Sequence, residues 1–259
     1  MTDDRSSRLL QRGLDILEYL ATQREPVGIR DLAQVLSLSP STCHRLLVTL
    51  EERGYVRQDE QSRRWMLWLK PLELGGKLLN GPGLPTRARP YLEELMNGTN
   101  ETVFLGVRDG DWVVYIDTIM SQQAIRTAIT LGSRWPLHCT ALGKVLIAAL
   151  PDAEIERILA RDLPALTEAT ITDPVVLRQQ IDAAREQGYA LNFGETVEGN
   201  FCSAAPLRDY TGGVIAAIGA AGPIGRIKEA GVSDFTVQVC ATAARISAHL
   251  GYIPEQVEH

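Results

Sequence analysis

Within the first fifty positions, apolar residues recur three times at three- and four-residue steps, each time interrupted by a short polar or glycine-bearing stretch. This pattern predicts three amphipathic helices in quick succession. The first spans 7–23, with Leu10, Leu14, Leu17 and Ala21 expected inward. After the break at 23–28, a short helix over 29–36 is expected to turn Leu32, Val35 and Leu36 to the core. Only Ser37, Leu38 and Ser39 separate it from the third helix, which is the spacing of a helix-turn-helix. Ser39 suits the N-cap of that third helix, Pro40 its first position and Gly54 its end. At ~100° per residue, Cys43, Leu46, Leu47 and Leu50 share one side, while Ser41, Arg45, Val48 and Glu52 face the other way, with Thr42, His44 and Thr49 between.

Past Gly54, the runs 55–58 and 63–69 read as strands joined by a polar turn at 59–62. Three helices and a basic hairpin predict a winged helix-turn-helix domain over 1–70. Residues 71–83 place Leu72, Leu74, Leu78 and Leu79 among four glycines, which suggests a short helix ending in a flexible joint, a linker between domains. A helix over 85–96 then opens a second domain, 84–259. There, β-rich runs at 101–108 and 112–119 flank Asp109-Gly110, a hairpin signal. Further strands are expected at 124–130, 189–193, 201–207 and 214–220, with helices at 140–150, 152–161, 173–187 and 232–250. An antiparallel sheet interrupted by helices, without alternating βαβ units, belongs to the α+β class.

Composition sharpens this picture in one respect. The net charge of -6 conceals an asymmetry: residues 1–70 carry 11 Lys/Arg against 10 Asp/Glu, and 71–259 carry 15 against 22. All the cations of the first stretch except Lys70 are Arg, whose planar fork suits bidentate contact with phosphate and guanine. Hydroxyl side chains near a helix start suit phosphate contacts, and an Arg one turn further in can reach a guanine edge. Ser41, Thr42, Arg45 and Thr49 are therefore candidate DNA contacts, and Arg57, Arg63 and Arg64 sit where a wing would meet the backbone. No apolar run approaches the ~20 residues of a membrane span, and the first residues lack the layout of a secretory signal, so a cytoplasmic location is expected. The four cysteines, Cys43, Cys139, Cys202 and Cys240, are widely spaced and read as reduced thiols.

Three segments, 32–47 (LAQVLSLSPSTCHRLL), 50–56 (LEERGYV) and 132–144 (GSRWPLHCTALGK), resemble in order and content the IclR family of bacterial transcription regulators. The resemblance covers nearly the whole chain. It implies an N-terminal winged helix-turn-helix that dimerises, a helical linker, and a C-terminal ligand-sensing domain of GAF-like α/β fold, with many members forming tetramers. The expected partners are a palindromic double-stranded DNA operator, a small-molecule effector of the organic-acid or aromatic class, and further copies of the chain as a homodimer or homotetramer. The resemblance also places Ala141 and Leu142 over the ligand, Cys202 on the sheet floor, and Trp135 and Thr127 along the wall. Asn192 stands where an acidic residue would be expected.

The rival class is an enzyme. G-x-S-x-G, the P-loop and H-E-x-x-H are absent. The run 219–225 has the spacing G-x-x-G-x-x-G, interrupted by Pro223, and reads as a turn rather than a dinucleotide fingerprint. His138, beside Cys139, is the one histidine able to join Cys202 at a metal, but three ligands of mixed origin are a weak set, and a capping or core histidine is the expected role. No catalytic residue, metal or cofactor is assigned.

Overall fold

A computed structural model of the chain describes residues 3–80 and 83–254. Its contacts divide it into two compact units, 1–81 and 82–259.

The first unit contains α1 (Asp3–Thr22), α2 (Ile29–Val35), α3 (Pro40–Glu52), β1 (Val56–Gln58), β2 (Trp65–Leu67) and α4 (Lys70–Asn80). Its core joins Ile16, Leu20, Leu32, Cys43, Leu47, Val56 and Trp65. The helix starts are set locally: the Ser39 hydroxyl accepts the Thr42 N–H at 3.2 Å, and Pro40 opens α3. At the other end Gly54 adopts φ +75°, and Gly54 and Tyr55 donate to the carbonyls of Glu51 and Leu50, closing α3 with a Schellman motif. β1 and β2 pair antiparallel with Arg57 opposite Met66, and Val27 adds a one-residue third strand through two 2.8 Å bonds with Trp65.

The inward stripe of α1 differs from the expectation. Leu10 and Leu14 are 67% and 49% exposed and Ala21 is exposed, while Ile16 and Leu20 are buried. Two apolar stripes lie side by side on this helix, and only the one meeting α3 and β2 is covered. Val35 is likewise exposed, since Leu32 and Ala33 fill the contact made by the short α2. Helix α4 starts at Lys70, whose N–H donates to the Gly54 carbonyl, and so grows from the first unit. The side chains of 76–80 and all of 81–82, within the expected linker, lie outside the described residues.

The second unit runs α5 (Leu84–Thr99), β3 (Thr102–Asp109), β4 (Trp112–Ile119), β5 (Arg134–Pro136), α6 (Ala141–Ala148), α7 (Asp152–Leu159), α8 (Pro174–Gln187), β6 (Ala190–Phe193), β7 (Asn200–Arg208), β8 (Val214–Pro223), α9 (Ile224–Ala230) and α10 (Val232–His249). The six strands form one antiparallel sheet in the order β5-β4-β3-β8-β7-β6. Strand alternation feeds two cores. Phe104, Val113, Tyr115, Cys202, Ala204, Ala217 and Ala221 face α6 and α8, whereas Val103, Leu105, Phe201, Leu207, Ile218 and Ala220 face α5 and α10. Both faces are covered, which is why the central strands read as unbroken apolar runs.

Two expectations fail here. Residues 124–130 form no strand: Arg226 Nη2 takes the Ile125 carbonyl at 3.0 Å and Thr102 Oγ1 the Thr127 carbonyl at 2.6 Å, so side chains occupy what a ladder would need. The strand lies further on, at β5, against Trp112–Val114. Nor is 219–225 a turn, because β8 continues to Pro223 and α9 follows. Gly219 is instead a space for Leu142: a Cβ there would come within 2.6 Å of the Leu142 side chain and 2.7 Å of Phe104.

Candidate functional site: an exposed helix face and a cavity

On α3, Ser41, Arg45 and Thr49 are exposed on one side, opposite buried Cys43 and Leu47. Thr42 is half-buried and belongs to the cap, its hydroxyl accepting from Ser39 Oγ at 2.9 Å. The Thr49 hydroxyl donates back to the Arg45 carbonyl at 3.0 Å, which leaves its oxygen as an acceptor. In the hairpin, the Arg57 guanidinium lies 4.5 Å from the Trp68 ring centroid, a cation–π contact that orients it without consuming its donors. Arg63 holds φ +56° at the hairpin turn, and Arg64 Nη1 reaches the Pro26 carbonyl at 3.3 Å. Arg45, Arg57, Arg63 and Arg64 form no ion pair among the described residues.

In the second unit a cavity opens between the sheet, the start of α6 and the loop 121–133. Thr127, Trp135, Ala141, Leu142, Asn192 and Cys202, six residues from five separated segments, all line it. Residues not anticipated from the sequence complete it: Phe104 and Tyr115 from the sheet, Thr196 and Asn200 from the approach to β7 and its first position. It holds about 50 Å³ of free space, room for a few waters. Two of its lining residues are tied together, Thr127 Oγ1 of the loop donating to Asn200 Oδ1 at 2.6 Å. That loop is anchored in turn by Arg226, which holds Ile125 and binds buried Glu101 through 2.5 and 2.8 Å bonds.

Helix α6 begins at the cavity because Thr140 caps it, its hydroxyl accepting the Gly143 N–H at 2.9 Å. Gly143 is obligatory for packing: a Cβ there would sit 1.9 Å from the Leu137 carbonyl oxygen. The N–H groups of Ala141 and Leu142 have no acceptor within their own helix. Asn192 uses both halves of its amide, donating to the Cys139 carbonyl and accepting the Glu195 N–H at 3.0 Å. An ionised carboxylate in that place would confront the carbonyl, so the amide suits this neighbourhood.

Behind the wall, Lys144 is fully buried, donating to Gln180 Oε1 at 2.5 Å and to Glu195. Burial pulls the Lys144 ammonium below its ordinary range and pushes the Glu195 carboxyl above its own, while their mutual attraction opposes both. Desolvation pushes the Cys139 thiol up to about 12 and raises Cys202 as well. Neither is an activated nucleophile. His138 Nε2 lies 3.0 Å from the Pro164 carbonyl, which can only accept, so that nitrogen carries the proton. Among the described residues no group of three His, Cys, Asp or Glu side chains is placed to hold a metal ion, and no helix is long and apolar enough to cross a membrane.

Comparison with known proteins agrees with both halves of this geometry. The IclR helix-turn-helix domain matches residues 9–60, and the bacterial transcriptional regulator IclR C-terminal domain matches 77–248. The chain is 38% identical over 238 residues to the HTH-type transcriptional regulator KdgR of Escherichia coli (strain K12), covering 92% of this chain and 90% of that protein. It is 35% identical over 246 residues to the HTH-type transcriptional regulator BhcR of Paracoccus denitrificans (strain Pd 1222), covering 95% and 88%. The crystal structure of Thermotoga maritima IclR matches with a TM-score of 0.78 at 29% identity, over 95% of this chain and all of that one. The helix-turn-helix match falls on the unit that carries α3 and the hairpin and the C-terminal match on the unit that carries the sheet and the cavity, and the chain belongs to the IclR family of bacterial transcriptional regulators.

Proposed function

We propose that this regulator reads an operator with α3 and the β1–β2 hairpin and that a small organic acid or aromatic metabolite, bound in the cavity, changes its affinity for that operator. Ser41, Thr42 and Thr49 contact phosphates or base edges, Arg45 reads a base, and Arg57, Arg63 and Arg64 meet the backbone. The observation that carries the reading is a polar helix face with Arg45 on it and Arg57, Arg63 and Arg64 on the hairpin, none of them in a close ion pair among the described residues. A single recognition helix covers too few base pairs for useful specificity, so the chain acts as a dimer, or a tetramer, on a palindromic site. Residues 71–83 serve as the linker between the DNA-binding domain and the sensor domain. The raised thiols and the neutral, carbonyl-bound His138 supply no catalytic group, which favours a sensor over an enzyme. With DNA as its target, it works in the cytoplasm.

A ligand shifts the balance between two states only through its difference in affinity for them, with couplings of ~1 to 3 kcal/mol. Fluorescence anisotropy on operator DNA, with and without an acid that raises the melting temperature, tests this. Cys202→Trp, filling the cavity floor, and Trp135→Ala, opening its wall, are expected to abolish or retune the ligand response and to leave ligand-free operator binding intact. Variants that fold and respond as the parent does would place the effector elsewhere.

A further inference from the structure

One polar side chain of the cavity wall is not committed to the protein's own hydrogen bonds. Tyr115, on β4, is 5% exposed, and its ring is held edge-on against Phe104, with centroids 5.3 Å apart and planes at 84°. The ring position is therefore fixed by packing. Its backbone is satisfied, the N–H by Ser133 and the carbonyl by Gly132. Its hydroxyl, on a side chain that lines the cavity, makes no hydrogen bond with any described residue. That oxygen is not among the fully enclosed side-chain atoms that lack a partner, so it is reached from free space and can donate to a guest in the cavity.

The rest of the lining narrows what that partner is. Among the described residues no charged side chain faces the space, so a cationic ligand would meet no counter-charge. The uncommitted groups at the α6 end are donors: the Ala141 and Leu142 N–H groups and the second N–H of Asn192, whose other N–H goes to Cys139. Burial holds the Tyr115 phenol far above its ordinary range, so it stays protonated and donates at any physiological pH. A donor-rich cavity of this size suits a short molecule with oxygens at both ends.

We propose that Tyr115 is a ligand-contacting, specificity-determining residue, donating a hydrogen bond to a second oxygen of a compact acid, an oxo or hydroxyl group beyond the carboxylate. The proposal rests on the effector-cavity reading above. It predicts that the cavity distinguishes acids by that oxygen, and that the distinction resides in one hydroxyl.

The test uses the full chain and two matched pairs of acids, 2-oxobutanoate with butanoate and glycolate with acetate, titrated by calorimetry into the parent, Tyr115→Phe and Cys202→Trp. In the parent, the oxygen-bearing member of at least one pair binds about ten-fold or more tightly than its mate. Tyr115→Phe erases that preference by weakening the oxygen-bearing acid and leaving its mate unchanged. Because the free hydroxyl has no protein partner, Tyr115→Phe melts at or above the parent's temperature. A clearly lowered melting temperature would instead make the hydroxyl structural and overturn the proposal. So would a preference that survives in Tyr115→Phe, or binding by the parent that ignores the second oxygen. If acids bind but Cys202→Trp does not weaken them, the cavity reading itself fails. If acids bind, Cys202→Trp blocks them and Tyr115→Phe changes nothing, the cavity stands and only the role of Tyr115 is lost. Failure of every acid to bind the parent rejects the ligand class proposed here.

Discussion

Two groups of arginines, one in each unit, are used in opposite ways. In the second unit Arg89, Arg108, Arg157, Arg178, Arg226 and Arg245 each hold a carboxylate at 3.2 Å or less, and Arg185 holds Asp152 and two carbonyls of the α6–α7 turn. In the first unit Arg45, Arg57, Arg63 and Arg64 carry no such partner among the described residues. A cation neutralised by its own chain is spent on local order, whereas an unpaired one on an exposed face is available to a polyanion. The difference shows why net charge misleads for this chain: the excess of acids lies in residues 71–259, with 15 Lys/Arg against 22 Asp/Glu, whereas residues 1–70, which hold the recognition face, carry 11 against 10.

Breaking the buried ion pair of the second unit, Lys144 with Glu195, should have the largest effect. Lys144→Met strands Glu195 inside the domain and should lower stability by ~3 to 5 kcal/mol, read by chemical denaturation, because an uncompensated buried charge is the costly outcome. Adding Glu195→Met should recover much of the loss. If the single variant is as stable as the parent, the pair is not the constraint that its burial suggests.

The mirror experiment is Arg45→Ala. It should leave the melting temperature unchanged and cost ~1 to 3 kcal/mol in operator affinity, with relaxed base preference at one position per half-site. An Arg45→Ala protein that keeps operator affinity in a gel-shift titration would remove the main functional contrast between the units. Smaller and different in kind are Arg63→Ala and Arg64→Ala, which should weaken binding to all sequences and each reduce the slope of log affinity against log salt by about one. Arg64 should also cost a little stability, through its bond to Pro26. A change in base preference would mean that the hairpin reads sequence.

The least effect is expected from pH. Burial holds the His138 imidazole neutral and its pKa below the ordinary value. A depressed folded pKa means that the stability it contributes is complete above the unfolded value of ~6.5 and is lost as pH falls through the folded value. Glu195, raised by burial, acts with the opposite sign at acid pH. The informative quantity is therefore the difference between parent and His138→Gln, which keeps a donor for Pro164. Between pH 7 and 5 the parent should lose melting temperature relative to the variant, and parallel curves would count against a buried neutral histidine.

Much of the molecule is legible in the order of its residues. The cap at Ser39, the stop at Gly54, the cap at Asp173 with Pro174 behind it, and the hairpin near Gly110 depend on neighbours a few residues away, and each is found where periodicity and capping chemistry put it. The six residues expected at the cavity do line it, though that expectation rests on resemblance to a family rather than on the residues' own chemistry. Tyr115 is not singled out by any such signal. The alternation of 112–119 does set Val113 and Tyr115 on one buried face, but a tyrosine there reads as core until it is known that nothing meets its hydroxyl.

What the sequence by itself determined, then, is the helix-turn-helix and its hairpin, the capped helix ends and the polar outer face of α3, because these follow from interactions within a turn or two of chain. Tertiary structure decided the choices among equals. Of the two apolar stripes on α1 only packing could select Ile16 and Leu20 over Leu10 and Leu14, since both satisfy the same period. The course of 124–130 was decided by Thr102 and Arg226, one 25 residues before Thr127 and the other 101 residues after Ile125, and no local pattern encodes partners at that distance. The same holds for the cavity. Its walls come from segments that meet only once the sheet closes, and whether a buried hydroxyl is satisfied or left waiting for a ligand depends on which atoms arrive beside it.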